Sequence, residues 1–303
     1  MHHIKKKPIS LQTSSTTSKP ISSVKPPSNP FNATTEIPNS GIFTLLYGPP
    51  GEGKTTFASQ FPKPLFIITN GETGIYSAKK TSVADKSIPV LELEGLFAVI
   101  PKLTGHPAWD KLTTTLDTFL KGNHDRRTIV IDTLSGLESL CFQHCASLKF
   151  DGDMASRHQD SWNHFANGPH TAARLYWQNE FLNKCIDIIR KGYNIVLIGH
   201  SNLRLQVNPN GVDFNLYNIE LTPKILTYTN KIIHHIWFFG REQIFHTEQG
   251  TKKKKVLSND RFIGMNTTTW YTAKNWNNIQ NPIECGNSPQ ETYANLTKQI
   301  PIN

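Results

Sequence analysis

The chain has 303 residues, 37% of them hydrophobic, with 32 Lys and Arg against 23 Asp and Glu and a net charge of +9. That length supports one large core or two small ones. No run approaches the ~18 consecutive apolar residues of a transmembrane helix, and four cysteines are too few for a disulfide scaffold. The start, Met1-His2-His3-Ile4-Lys5-Lys6-Lys7-Pro8, lacks an apolar signal core, so the expected compartment is a reducing cytoplasm. The charge excess admits two readings, a polyanionic partner or a basic tail alone.

Residues 1–40 hold eight Ser, five Thr, six Pro and five Lys against one acidic residue, Glu36. They bury too little apolar surface to offset ordering entropy, which predicts a disordered basic arm. Such an arm either touches nucleic acid or is a solvated tail. The globular part is expected over 41–285, with a loose tail at 286–303.

Ile42 to Tyr47 reads as a buried strand, followed by a Gly/Pro turn and a helix over Thr55 to Gln60. Leu65 to Thr69 is a second strand, with turn residues Asn70 to Gly74 after it, and Pro89 to Leu93 a third. Trp109 to Leu120 has helical spacing. Thr128 to Ile131 is β-prone, and Leu134 to Leu148 continues as a helix. Asp151 to Thr171 is polar and loop-like. Ala172 to Lys191 reads as a long amphipathic helix and Ile195 to Ile198 as another buried strand. Leu203 to Tyr217 reads as turn-rich. A helix over Pro223 to Asn230 precedes strands at Ile232 to Phe239 and Gln243 to Thr247. Gly250 marks a turn, and Lys252 to Lys255 lead into a last strand. Short apolar strands alternating with helices predict an α/β domain with a mostly parallel central sheet flanked by helices and extended by C-terminal antiparallel strands.

Gly48-Pro49-Pro50-Gly51-Glu52-Gly53-Lys54-Thr55 matches the phosphate-binding pattern G-x-x-x-x-G-K-[ST] between a strand and a helix. Glycines let the backbone curl so that successive N–H groups face phosphate oxygens. Lys54 is then expected at the β- and γ-phosphates, the Thr55 hydroxyl at Mg²⁺ and Thr56 near the α-phosphate of ATP. Arg127 to Thr133 is an apolar strand ending in Asp132, a carboxylate placed to hold Mg²⁺ beside the loop or else to cap the next helix. Glu72, just past the second strand, is the candidate that orients attacking water; Asn70 is nearer the strand end but cannot act as a base. Glu52 is expected to face solvent. Asn194 to Asn202 ends a strand in His200, either a γ-phosphate sensor at the ligand crevice or a strand cap. Cys141 and Cys145, at i and i+4, suggest zinc weakly and burial more strongly.

Together these elements resemble the RecA-like core of P-loop ATPases. They are similar to the phage-type nucleotide-binding AAA proteins associated with single-strand annealing and recombination. Tyr47 to Ala58, Lys63 to Ile67, Thr128 to Leu134 and Val196 to His200 carry the similarity. Thr272-Ala273-Lys274-Asn275 with Pro282-Ile283-Glu284 resembles the family's closing segment. The resemblance covers roughly residues 41–285. It implies Lys54, Thr55 and Asp132 at the nucleotide and His200 at the γ-phosphate. It differs in two places: the acidic residue expected at the second strand's end is displaced to Glu72, and Trp276 stands where a basic residue is expected.

The resemblance also implies that the segments at 151–171 and 201–217 face DNA. They hold Arg157 and Trp162, and Arg204, respectively. Cations with aromatics suit single-stranded DNA, which needs stacking and phosphate contacts; ordinary polar loops have the same composition. Lys252 and Lys253 either track a phosphate backbone or protect an edge strand. Three functions compete: a Mg²⁺-dependent ATPase acting on single-stranded DNA, an ATP-switched annealing module with negligible turnover, and a small-molecule kinase. The first two imply a homo-oligomer and leave room for a phage single-strand-binding protein as partner. The kinase needs an Arg-rich lid, which Arg126 and Arg127 do not form.

Overall fold

The computed structural model describes residues 40–69, 71–95, 104–208, 211–247 and 254–302. Strands β1 (Phe43–Gly48), β2 (Pro64–Thr69), β3 (Val90–Leu93), β4 (Thr128–Asp132), β5 (Asn194–Gln206) and β7 (His235–Thr247) form the parallel part of a sheet in the order β3-β2-β4-β5-β1-β7. Strand β8 (Lys254–Gly264) pairs antiparallel with β7, β9 (Ile283–Glu284) with β8, and β6 (Phe214–Ile219) with the outer half of β5. The fold is the mixed α/β architecture expected from the alternation of short apolar strands and helices.

The central strands are apolar on both sides because both faces of the sheet are covered. Leu45, Tyr47, Ile67, Ile129, Ile131, Ile195 and Leu197 point into one core. Helices α3 (Pro107–Lys121) and α4 (Leu134–Lys149) and the helical run from α5 (Ala172–Tyr176) to α6 (Asn183–Arg190) cover that face with Trp109, Leu112, Leu140, Trp177, Phe181 and Ile188. Alternate residues Leu46, Phe66, Ile68, Val130, Val196 and Ile198 point the other way. They meet α1 (Lys54–Ala58), α2 (Gly74–Lys80) and α8 (Pro289–Thr297) through Phe57, Ile75 and Leu296. Parallel pairing brings the C-terminal ends of β1 and β4 level with Ile198 to His200 in the middle of β5, at one edge of the sheet.

Three sequence expectations are corrected. The stretch predicted as a polar loop after the His200 strand is a β-hairpin: β5 continues to Gln206 and pairs with β6 from Ser201↔Ile219 to Gln206↔Phe214. The strict alternation Asn202-Leu203-Arg204-Leu205-Gln206-Val207 favours a strand over a coil. The expected loose tail carries α8, whose Ser288 hydroxyl accepts from the Glu291 N–H at 3.1 Å while the Glu291 carboxylate accepts from the Asn287 N–H at 2.8 Å. Burial of Leu296 and Ile300 anchors it. The long helix expected from Ala172 runs through α5 and α6 with a π-helical turn at Trp177–Leu182, where the Trp177 indole N–H donates to the Thr229 hydroxyl at 3.0 Å. Residues 1–39, Lys252 and Lys253 lie outside the described residues. Among the described residues no helix is long and apolar enough to cross a membrane.

Candidate nucleotide site

The phosphate-binding loop leaves β1 at Gly48 and enters α1 at Lys54. Gly51 (φ +80°) and Gly53 (φ +89°) take left-handed conformations that other residues adopt at a cost. A side chain at Gly48 would collide with the Phe239 carbonyl of β7, 2.1 Å from its Cβ. Only glycine therefore allows β1 and β7 to approach so closely at the loop's root. Lys54 is buried, and its ammonium donates to the carbonyls of Gly48 (2.9 Å) and Pro49 (2.7 Å). Burial holds its pKa below the usual lysine value, against the opposing pull of Asp132, Glu52 and Glu72. The Thr56 hydroxyl donates to the Gly53 carbonyl at 2.8 Å and closes the loop onto the helix.

Parallel register places the other groups. Gly48 pairs with His200, and Asp132 lies opposite both Ile68 and Ile198. The Thr55 hydroxyl donates to Asp132 Oδ2 at 2.8 Å across this edge. Asp132 is buried, and desolvation raises its pKa to about 6; the Thr55 hydrogen bond opposes this and the Glu72 charge adds to it. A hydroxyl and a carboxylate side by side suit a hard cation such as Mg²⁺, which keeps few protein ligands and takes the rest from waters and phosphates. Glu72, one turn past β2, lies 3.7 Å from His200 Nε2. The neighbouring Glu72 carboxylate raises the His200 pKa above the ordinary imidazole value, while burial and Lys54 pull it down. His200 Nδ1 is buried with no hydrogen-bond partner. The structure thus gathers Lys54, Thr55, Asp132, Glu72 and His200 at one edge of the sheet. Asn70 lies outside the described residues.

Glu52 does not face solvent as expected. Its carboxylate accepts from Arg241 Nε at 3.0 and 2.9 Å, and Arg261 Nε lies 3.7 Å away. Sequence reading missed both arginines because they come from β7 and β8, about 190 and 210 positions after the loop.

The DNA candidates separate. Arg157 is exposed. Trp162 is buried against Phe142 and Phe150, with ring centroids 5.4 and 5.6 Å apart, so it packs a small core and cannot stack on a base. Phe165, 79% exposed, is the open aromatic of that segment. Arg204 is half-buried on β5, with its guanidinium 3.5 Å from the Leu221 carbonyl. In the closing segment, Lys274 donates to the carbonyls of Asn230 (3.0 Å) and Ile233 (2.7 Å), at the end of α7 (Pro223–Ile232). Trp276 stacks on His234. Cys141 and Cys145 are buried and free, and burial pushes both thiols up. No group of three or more His, Cys, Asp or Glu suited to a metal occurs among the described residues.

A family described as "AAA domain" matches residues 40–276. No curated protein matches. Among solved structures, the flagellar accessory protein FlaH from Methanocaldococcus jannaschii is similar over 75% of this chain and 85% of its own, at 13% identity and a TM-score of 0.34. A likeness that loose has no bearing on the reaction.

Proposed function

The chain belongs to the AAA-domain family, and on that premise we propose that it binds and hydrolyses ATP and acts on single-stranded DNA in phage-type recombination or annealing. The observation that carries the ATPase reading is the junction of Thr55 and Asp132 at 2.8 Å with the Glu72–His200 pair beside it. A loop match alone would leave the second carboxylate and the histidine elsewhere.

In this reading the phosphates lie along Gly48 to Thr56, and Lys54 exchanges its two loop carbonyls for the β- and γ-phosphates. Thr55 and Asp132 hold Mg²⁺, which when bound offsets charge on the phosphate oxygens. Glu72 orients a water against the γ-phosphorus and takes its proton as the bond to the ADP oxygen breaks. His200 positions the Glu72 carboxylate. It also sits where β5 leaves the core for the hairpin, so any shift of the Glu72–His200 pair reaches Arg204 along one strand. Charge of +9, exposed Arg157 and exposed Phe165 support the single-stranded DNA part. Leu203, Leu205 and Val207, exposed along the hairpin, support a homo-oligomer. The expected setting is the cytoplasm of a bacterial host.

One observation favours the switch-like variant with slow turnover: Glu72 stands three residues past the end of β2 at Thr69, displaced from the strand end where the resemblance places an acidic residue. The deciding experiment is ATP hydrolysis by the purified protein, with and without single-stranded DNA, using Lys54→Ala as the blank. DNA-stimulated turnover supports the ATPase. Nucleotide-dependent DNA binding without turnover selects the switch. ATP binding retained in folded Lys54→Ala overturns the site, and no response to DNA in either assay overturns the DNA role.

A further inference from the structure

Arg241 and Arg261 stand directly opposite each other in the antiparallel pair β7–β8. Like charges in that position repel. The Glu52 carboxylate reconciles them, but its single charge does not balance both guanidiniums.

The two arginines are not equivalent. Arg241 makes both of its Glu52 contacts within 3.0 Å and is 30% exposed. Arg261 makes only a 3.7 Å ion pair and is 47% exposed. Its other end faces the loop: Arg261 Nη1 lies 3.8 Å from where a Cβ on Gly53 would stand. Arg261 also lines a cleft with Gly53, Thr56 and Phe57 on one wall and the segment from Cys285 to Thr292 on another. Thr56 is the residue expected at the α-phosphate. The far wall lies beyond residue 276, outside the family match.

Taking the ATP reading of Gly48 to Thr56 as given, we propose that Arg261 is a nucleotide ligand: its guanidinium leaves Glu52 for the α-phosphate when the nucleotide enters, and Arg241 keeps Glu52 in place. A guanidinium fork meets phosphate oxygens with two parallel, charge-assisted hydrogen bonds. The exchange breaks only a 3.7 Å ion pair, and Arg241 continues to neutralise Glu52. The repulsion between the cross-strand arginines falls as Arg261 turns away.

The test measures Mg-ATP and Mg-ADP affinity by calorimetry on the full chain and on Arg261→Gln, Arg261→Lys, Glu52→Gln and Lys54→Ala. Arg261→Gln is expected to weaken ATP and ADP alike by at least about tenfold, the low end for charge-assisted hydrogen bonding, without lowering the ligand-free Tm. Arg261→Lys, which keeps the charge and loses the fork, is expected to fall between. Glu52→Gln removes the competing anion and is expected to tighten ATP by roughly threefold. A staple that merely ties β8 to the loop predicts weaker ATP binding for Glu52→Gln, and that result overturns the proposal; Tm falls in either case, because the Arg241–Glu52 pair is lost. Unchanged affinity in Arg261→Gln also overturns it, as does a loss confined to ATP, which would place the arginine at the γ-phosphate. Lys54→Ala separates the premise: if that variant still binds ATP, the loop reading falls, whereas binding lost there and kept in Arg261→Gln removes only the role of Arg261.

Discussion

Strand β5 passes through two environments, and His200 marks the boundary. From Asn194 to Gly199 every residue is buried between the two helical layers. From Ser201 onward the same strand pairs only with β6 and presents Leu203 and Leu205 to solvent, with exposed Val207 just past its end. The inner half is fixed by packing on both faces, and the outer half by a single ladder. A group at the junction is therefore anchored on one side and joined to a deformable element on the other. That is a suitable place for a residue that reports the state of the nucleotide site, because the His200 carbonyl accepts from the Glu220 N–H at 3.0 Å and so joins the site to the end of the hairpin's second strand.

The largest expected effect tests the packed regions. Trp162→Ala should cost about 4 kcal/mol, the usual penalty for emptying a buried aromatic site, read as a lowered denaturant midpoint. ATP affinity per folded molecule should be unchanged, since Trp162 packs on Phe142 and Phe150 and touches no loop residue. A loss of DNA binding with stability intact would restore Trp162 to the interface. Next, Lys54→Ala should weaken ATP at least a hundredfold, about 3 kcal/mol, without lowering the ligand-free Tm, since a buried ammonium is removed.

Asp132→Asn separates site from fold more sharply. The carboxylate pKa is raised in the folded chain, to about 6 against 3.8 unfolded. A group shifted in that direction adds stability below pH 3.8 and loses it as pH rises through 6. At pH 8 the ionised Asp132 thus costs the ligand-free fold, by roughly 3 kcal/mol. Asp132→Asn should raise the ligand-free Tm at pH 8, have little effect at pH 4, and abolish hydrolysis. Wild-type Mg²⁺-dependent ATP binding should fall as pH drops through about 6, as the ligand oxygen is protonated. A Tm lowered by the substitution at pH 8 would show that Asp132 is held mainly by its hydrogen bond from Thr55.

Much of the nucleotide pole was legible because its signals are local. Gly48 to Thr55 is a contiguous pattern with a steric and electrostatic reason for each position, and Asp132 closes an apolar run that only a doubly covered strand requires. Glu72 and His200 were found by counting from strand ends, but their mutual contact was not, since it depends on which strands are neighbours. Arg241 and Arg261 left no local trace; a charge inside a strand becomes meaningful only once register puts it against Glu52. Trp162 shows the opposite error. Its polar neighbours suggested an exposed loop, yet Phe142 and Phe150 on and beside α4 bury it. The hairpin and α8 do carry local signals: the alternation from Asn202 to Val207 and the Ser288-Pro289-Gln290-Glu291 cap are ordinary strand and helix patterns that the polar composition around them masks.

The smallest expected effect gives the most direct measure of the boundary at His200, because the same side chain occurs on both sides of it. Leu197 is fully buried and Leu205 is 65% exposed, eight residues apart on one strand. Leu197→Ala leaves a cavity between two packed layers and should cost about 3 kcal/mol. Leu205→Ala removes atoms already in water and should change stability by less than ~0.5 kcal/mol. Equilibrium urea unfolding of the isolated protein at low concentration gives both values. If Leu205→Ala costs nearly as much as Leu197→Ala, its side chain is covered in solution. Repeating the measurement across a range of protein concentrations then identifies the cover: a cost that grows with concentration means that a second copy supplies it, and a constant cost means that another part of the same chain does.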